Sequence, residues 1–413
     1  MNAVSTNKRF MAGYEIVNRL EYALLQAPAS IVCRLNEIES KDEAEESSPS
    51  RMRRPQQAAQ PSSPTTLSHK NDHVTHHIER SLVRKEYKVN EKTNQLMHQH
   101  QFEAPRNKGM GDMTLIIEGL ADQAHESITI ALDSLGDACR DTFVAITAIF
   151  IAKHGTSNMR RACAISIDEI LDACGKLRSG GSFKPDARAE VIKHLKTLSQ
   201  ARIKFFMPTA QKVRHGRKWV WEDTEIKVEG PLLTHDGKIG MYSRITGKEL
   251  WEVQSIVLGP WAWFAGSDAI KTKVIPQQVL AYSPNNEPYH KRLGHYLSEL
   301  FRNNAQRTKG VMPYGITMQA LFEGAMIEPP RERGKFKDDI DKALMHMKRD
   351  GVIGDYWYMT EKTSPEVREK IAARQGRWFD AYLGLFINFS PPALTVAQYK
   401  NIAKREKDDA TIE

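Results

Sequence analysis

Along residues 137–153 the apolar side chains Phe143, Ile146, Ile149 and Phe150 recur at helical spacing, and Gly155 follows as a stop. The next block, AISIDEILDACG, predicts a short helix that Ser166 caps and Gly175 ends. A glycine-rich stretch, KLRSGGSFKP, leads to Pro185, whose fixed φ suits the first turn of a third helix. That helix runs to about residue 199, with Val191, Ile192, Leu195 and Leu198 turned to the core and Ala189, Lys193, Lys196 and Gln200 on the other face. The period then changes: ARIKFFMPT alternates as a strand, QKVRHGRK makes a basic turn, and KWVWEDTEIKV returns as a second strand.

The same order recurs downstream. Leu293, Tyr296, Leu297, Leu300 and Phe301 hold the spacing of a core-facing helix over 289–302, and GITMQALFEGA predicts a short second helix. IEPPRERGK loops into a third helix over 336–350 that buries Ile340, Ala343, Leu344 and Met347 and ends at Gly351. VIGDYWYM reads as a strand, and a basic excursion, TEKTSPEVREKIAARQGRW, separates it from the apolar strand LGLFINFSPP. Between the copies, SIVLGPWAWF reads as a buried strand extending the first sheet, with Trp261 and Trp263 as core aromatics. Three helices followed by a hairpin with a charged tip is the order of a winged helix. The fold expected is therefore α+β, with two tandem winged-helix domains over 111–266 and 287–392, a connection over 267–286 and a tail over 393–413.

The first hundred residues differ in character. Segment 1–40 holds one amphipathic patch, 14–25, broken at Pro28. Segment 41–110 reads as a disordered linker, because SSPSRMRRPQQAAQPSSPTT has almost nothing to bury. A helix within 72–97 would place Val74, Ile78 and Leu82 on one face, left exposed unless a partner covers it. On this reading the arm contributes no core residue and the folded part begins near Met113.

Composition narrows the class. A chain of 413 residues, 40% hydrophobic and 27% charged, suits two or three packed domains. Its longest apolar run, 143–152, is about half of what a bilayer-spanning helix needs. The N-terminus lacks the apolar stretch of a secretory signal. Cys33, Cys139, Cys163 and Cys174 show no CxxC spacing, so buried reduced thiols in a cytoplasmic protein are expected.

Charge points to a partner. Between residues 153 and 218 fifteen Lys and Arg face five Asp and Glu, a surplus of ten in a chain whose total is +8. Such a field favours a polyanion, above all double-stranded DNA; a solvated helical face is the alternative. A winged helix lays its third helix in the major groove and its wing along the backbone. In the first copy Lys184, Arg188, Lys193 and Lys196 belong to the third helix and Arg214, His215, Arg217 and Lys218 to the wing tip, while Arg178, Gly180 and Gly181 form a loop able to approach phosphates. In the second, Arg331, Arg333, Lys335 and Lys337 open the third helix, Lys342, Met345 and Arg349 continue its outward face, and Lys362, Arg368, Lys370 and Arg374 lie in the wing excursion. Arg331 and Arg333 are the specificity candidates, since arginine pairs bidentately with guanine.

The stretch SIVLGPWAWFAGSDAIKTKVIPQQVLAYSPNNEPYHKRLGHYLSELFRNN resembles the domain junction of plasmid replication initiators of the TrfA and RepA/RepE type, and KFKDDIDKALMHMKRDGVI resembles their final recognition helix. The resemblance covers roughly residues 137–392. It implies an initiator that binds repeated origin sites (iterons), melts adjacent A·T-rich DNA, recruits host replication proteins and passes between dimer and monomer. One departure stands out: where some members carry a QLSLF-like sliding-clamp motif, this chain has QLMHQHQF from Gln95.

Enzyme chemistry finds little support in the sequence. GMGD at 109–112 lacks the Gly-Lys-Ser/Thr of a phosphate loop and reads as a turn. Asp338, Asp339 and Asp341 near a helix start suit the macrodipole. His69, His73, His76 and His77 read as exposed histidines of the arm. No catalytic set, metal or cofactor is expected. Two alternatives stay open: a winged-helix transcriptional regulator, and a rolling-circle nickase using His98, His100 and a tyrosine.

Overall fold

In chain order the elements are β1 (Thr66–Lys70), α1 (His73–Val83), β2 (Lys88–Asn90), β3 (Gln95–Glu103), β4 (Met110–Glu118), α2 (Asp137–His154), β5 (Cys163–Ser166), α3 (Ile167–Ala173), α4 (Pro185–Gln200), β6 (Ala201–His215), β7 (Lys218–Pro231), β8 (Leu233–Tyr242) and β9 (Glu249–Leu258). There follow α5 (Pro260–Trp263), β10 (Thr272–Pro276), α6 (Gln277–Ala281), α7 (Pro288–Thr308), β11 (Tyr314–Thr317), α8 (Met318–Gly324), α9 (Arg333–Arg349), β12 (Asp355–Tyr358), α10 (Pro365–Ala372), α11 (Trp378–Leu383), β13 (Phe386–Ser390) and α12 (Ala393–Ala410). This computed structural model describes residues 66–70, 72–84, 86–90, 95–104, 109–118, 133–215, 218–242, 249–263, 272–308, 314–359, 361 and 363–410. The amphipathic patch 14–25 lies outside the described residues.

Two stretches share one plan. The series α2–β5–α3–α4–β8–β9 matches α7–β11–α8–α9–β12–β13, and the sheets are ordered alike, β5-β9-β8 and β11-β13-β12, with every pairing antiparallel. The likeness extends to single hydrogen bonds. Ser166 ends its strand and caps α3 by accepting from the Glu169 amide, and Thr317 ends its strand and caps α8 by accepting from the Ala320 amide. Both helices close through the same left-handed turn, in which Lys176 donates to the Leu171 carbonyl at 3.0 Å and Ile327 to the Phe322 carbonyl at 2.8 Å. The inward side chains correspond as well: Ile165, Ile170 and Leu171 in one copy, Ile316, Leu321 and Phe322 in the other, all buried.

The first copy carries a large addition. Strands β6 and β7, expected as its wing, belong to a separate five-stranded antiparallel sheet ordered β2-β3-β4-β6-β7. The hairpin that corresponds to β12–β13 is β8–β9, so β9 completes its own three-stranded sheet and does not extend the β6–β7 sheet. Strand β4 pairs with β6 only over its first residues, up to Phe206, and from Met207 to His215 β6 pairs with β7 alone.

The linker expected over 41–110 is corrected for its described part. Strand β3 pairs along its whole length with β4, and Val74, Ile78, Leu82 and Leu96 are buried in the main core. The face of α1 expected to stay exposed without a partner is covered by the chain's own core, and α1 ends at Val83, well short of residue 97. GMGD at 109–112 enters β4 and is not simply a turn. The connection 267–286 is also structural: β10 pairs with β1, register Thr66↔Pro276 to Lys70↔Thr272, and its residues are buried. The expected tail is α12, whose buried Tyr399 accepts from the Val274 amide at 3.0 Å. Trp261 is fully buried and donates Nε1 to the Leu232 carbonyl at 2.6 Å; the side chain of Trp263 lies outside the described residues.

A layer of buried ions joins the parts. Glu79 of α1 holds Lys273 of β10 at 2.8 Å and His69 of β1 at 2.9 Å. Asp141 of α2 holds Lys291 and His295 of α7, and Asp137 holds Arg140 at 2.7 Å and Arg292 at 3.1 Å. Buried charges persist only when paired in this way. No described helix is long and apolar enough to cross a membrane.

Candidate nucleic-acid interface

Helix α4 starts on Pro185 and buries Val191, His194, Leu195 and Leu198. This stripe corrects one expected core position. Ile192 falls off it and is 51% exposed, while His194 takes the inward place and meets the Thr142 hydroxyl at 2.8 Å. Burial drives the His194 pKa down to about 4, so the ring is a neutral packing residue. The outward face presents Ala189, Ile192, Lys193 and Lys196, with Lys184 exposed at the N-cap.

The basic residues of this region fall into two groups. Arg188 is held by Asp168 of α3 at 2.9 Å. Arg178 is held by Asp172 of α3 at 2.5 Å and lies over the Phe183 ring at 4.6 Å. Its loop is closed by Ser179 and Ser182, which exchange backbone hydrogen bonds at 2.8 and 3.3 Å. Lys184, Lys193 and Lys196 make no salt bridge within the described residues. The carboxylates of α3 therefore neutralise the arginines and leave the lysines of α4 available.

Helix α9 repeats this division. Lys337 pairs with Asp341 at 2.6 Å, Arg349 with Asp350 at 3.0 Å, and Arg374 with Asp338 at 2.5 Å. The Arg374 bond holds the exposed Asp338 carboxyl below its usual range. Arg333 rests its guanidinium 4.9 Å from the Phe379 ring centre. Arg331, Lys335, Lys342 and Lys370 are exposed and make no salt bridge within the described residues. Phe336, Ile340, Leu344 and Met347 form the inward stripe, and Met345 on the outward side is 55% exposed.

The remaining candidates are dispersed. Arg214 and Lys218 are exposed near the end of the β6–β7 ribbon, not on the hairpin that completes the first three-stranded sheet. Arg217, Lys362 and the side chain of His215 lie outside the described residues. Helices α10 and α11 occupy the basic excursion before β13; they carry Arg368 and Lys370, with Arg374 between them.

His98 and His100 stand on β3, not in a linker. His98 is 2% exposed with Nδ1 on the Glu86 carbonyl at 3.2 Å, and His100 meets the His77 ring at 2.9 Å. Burial lowers both pKa values, that of His100 to about 4. His69 and His77, expected exposed, are buried. Cys139, Cys163 and Cys174 are free and buried, with their thiols pushed up to about 12. Among the described residues no group of three or more His, Cys, Asp or Glu is placed to hold a metal ion.

No protein-family model and no curated protein matches the chain. Among solved structures it is similar to a crystal structure of RctB domains 2-3, with a TM-score of 0.38 and 10% identity over 78% of this chain and 99% of that one. A selenomethionine crystal structure of domains 2 and 3 of RctB gives a TM-score of 0.37 and 9% identity, over 76% of this chain and 95% of that one.

Proposed function

We propose that the chain is a non-enzymatic, sequence-specific double-stranded DNA-binding protein, built on two tandem winged-helix units, that initiates replication of a plasmid-type replicon. The observation that carries this reading is the repeated division of charge. In each copy carboxylates of the chain neutralise some basic side chains, and the third helix keeps lysines that make no salt bridge within the described residues: half-buried Lys193 and exposed Lys196 on α4, exposed Lys335 and Lys342 on α9. Unpaired cations on two helices of equivalent topology suit phosphate rails flanking two major-groove segments.

The initiator role adds repeated origin sites (iterons), opening of A·T-rich DNA, recruitment of host replication proteins and exchange between monomer and dimer. It draws on the resemblance of the junction and final-helix segments to plasmid initiators. The nickase alternative loses ground, because His98 is buried and bonded to a backbone carbonyl. Anisotropy titrations against duplexes from the DNA flanking the gene test binding, and a replicon-maintenance assay with the same DNA tests initiation. Affinity falling steeply with salt, together with maintenance that depends on the chain, is the expected result. Binding without maintenance would make the chain a transcriptional regulator, and cleavage with a covalent tyrosyl adduct would make it a nickase.

A further inference from the structure

Ile192 and Met345 are large apolar side chains left uncovered, 51% and 55% exposed, and each stands on the outward face of the third helix of its copy. Neither is required by helix formation, since alanine at an exposed helix position is the better helix former. Each is the one large apolar side chain exposed on its own helix. One turn from Ile192 lie Arg188, Ala189, buried Leu195 and Lys196; one turn from Met345 lie Asp341, Lys342, Lys348 and Arg349. A protein groove that took up either side chain would also have to bury the cations around it. The DNA major groove accepts both kinds of group together: phosphates along its edges take the lysines, and the C5-methyl of thymine on its floor takes an apolar side chain.

On the reading that α4 and α9 enter the major groove, we propose that Ile192 and Met345 each contact a thymine methyl group. The recognised sequence then carries a thymine at a fixed place beneath each third helix. Lys196 beside Ile192 and Lys342 beside Met345, which make no salt bridge within the described residues, then each hold a neighbouring phosphate.

Replacing thymine by deoxyuridine, one position at a time, in a duplex the full chain binds removes the methyl and leaves every hydrogen-bonding group in place. The parent chain should bind about fourfold more weakly at one position for each helix, the worth of one buried carbon. Ile192→Ala should abolish the thymine–uracil difference at one position and Met345→Ala at the other. Both sites are exposed, so unfolding midpoints should match the parent. If the parent binds the duplex but treats thymine and uracil alike everywhere, the methyl contacts are wrong while DNA binding stands. If the alanine variants keep the difference, other residues read the methyl. If no duplex is bound, the DNA reading itself fails.

Discussion

Lys291 of α7 places its ammonium on the carboxylate of Asp141 of α2, so the first helices of the two copies are joined by a buried ion pair. The ammonium also donates to the carbonyls of Leu280 at 2.9 Å and Val279 at 3.3 Å, near the end of α6. Asp141 in turn receives His295 Nε2 at 2.9 Å. Burial opposes ionisation of Asp141, yet Lys291 and His295 outweigh it and hold the carboxyl below its usual range.

Breaking this pair from one side should be costly. Lys291→Met leaves the carboxylate buried without its main cation, a change typically worth about 3–5 kcal/mol. The double variant Asp141→Leu/Lys291→Met removes both charges and should recover much of the loss. Urea unfolding of the parent and the two variants measures it. Equal losses in the single and double variants would show that packing, not charge, decides stability here.

Acid should weaken the fold before any carboxylate is titrated. Burial pushes His100, His194 and His295 down to about 4. In the unfolded chain they take up protons near pH 6.5. The unfolded state therefore binds more protons between about pH 6.5 and 4, and stability is complete above that window and declines as pH falls through it. The slope approaches about 1.4 kcal/mol per pH unit for each of the buried His194 and His295 and is smaller for half-buried His100, which solvent screens. Denaturant midpoints between pH 7.5 and 5 read it directly, and a flat profile would mean that these rings take up protons as readily in the folded protein as in the unfolded chain.

The helical parts of both copies were legible because their apolar side chains keep one period and their ends carry Ser166, Pro185 and Gly351. Residues 66–103 were not, and the reason is visible in β3. Its inward alternation is carried by Leu96 and His98 and continued by His100 and Phe102, so half of the buried pattern is written in histidine and scans as polar. In sequence β6–β7 reads as the hairpin of the first copy because it has stronger alternation and a more basic turn than β8–β9, and strand partners separated by ninety or so residues leave no local mark. Ile192 was assigned to the core for being apolar beside Val191. The period through 191, 194, 195 and 198 excludes it once His194 is accepted as an inward residue.

The matched turns after α3 and α8 should respond unequally to substitution. Gly175 has φ +67°, and a Cβ there would sit 2.8 Å from the Cβ of Ala281. Met326 holds the corresponding place at φ +54°. Gly175→Ala should cost about 1–3 kcal/mol through strain and overlap. Met326→Gly relieves the left-handed backbone, worth about 1 kcal/mol, against the contacts of a half-buried side chain, and should be close to neutral. Thermal unfolding of the two variants compares them; a harmless Gly175→Ala would contradict the close approach of α6.

Binding to DNA should depend on which cations are already paired. Lys193→Ala and Lys196→Ala should each weaken every duplex alike and lower the slope of log affinity against log salt by about 1. Arg188→Ala should do less, because Asp168 already occupies that guanidinium. Titrations at several salt concentrations test the order. A larger effect at Arg188 would mean that the Asp168 pair opens on the DNA.

The two arginines at the start of α9 should separate by stability and agree in specificity. Arg331 is exposed and makes no salt bridge within the described residues, whereas Arg333 lies over the ring of buried Phe379. A cation over an aromatic face at a partly exposed site is worth about 0.5–1 kcal/mol, so Arg333→Ala should lower the unfolding free energy by that amount and Arg331→Ala should leave it unchanged. Arg333 is the first residue of α9 and Arg331 lies two residues before it, at the end of a third helix from which side chains reach base edges. A bidentate arginine–guanine contact discriminates by about 1–3 kcal/mol. Duplexes selected from random sequence by either variant should therefore lose a guanine preference at one or two positions while non-specific affinity persists. Lys370→Ala, in the excursion before β13, should instead weaken all duplexes equally. If the arginine variants select the parent's motif unchanged, α9 does not read bases through its first turn, and the ring contact of Arg333 is then a packing feature alone.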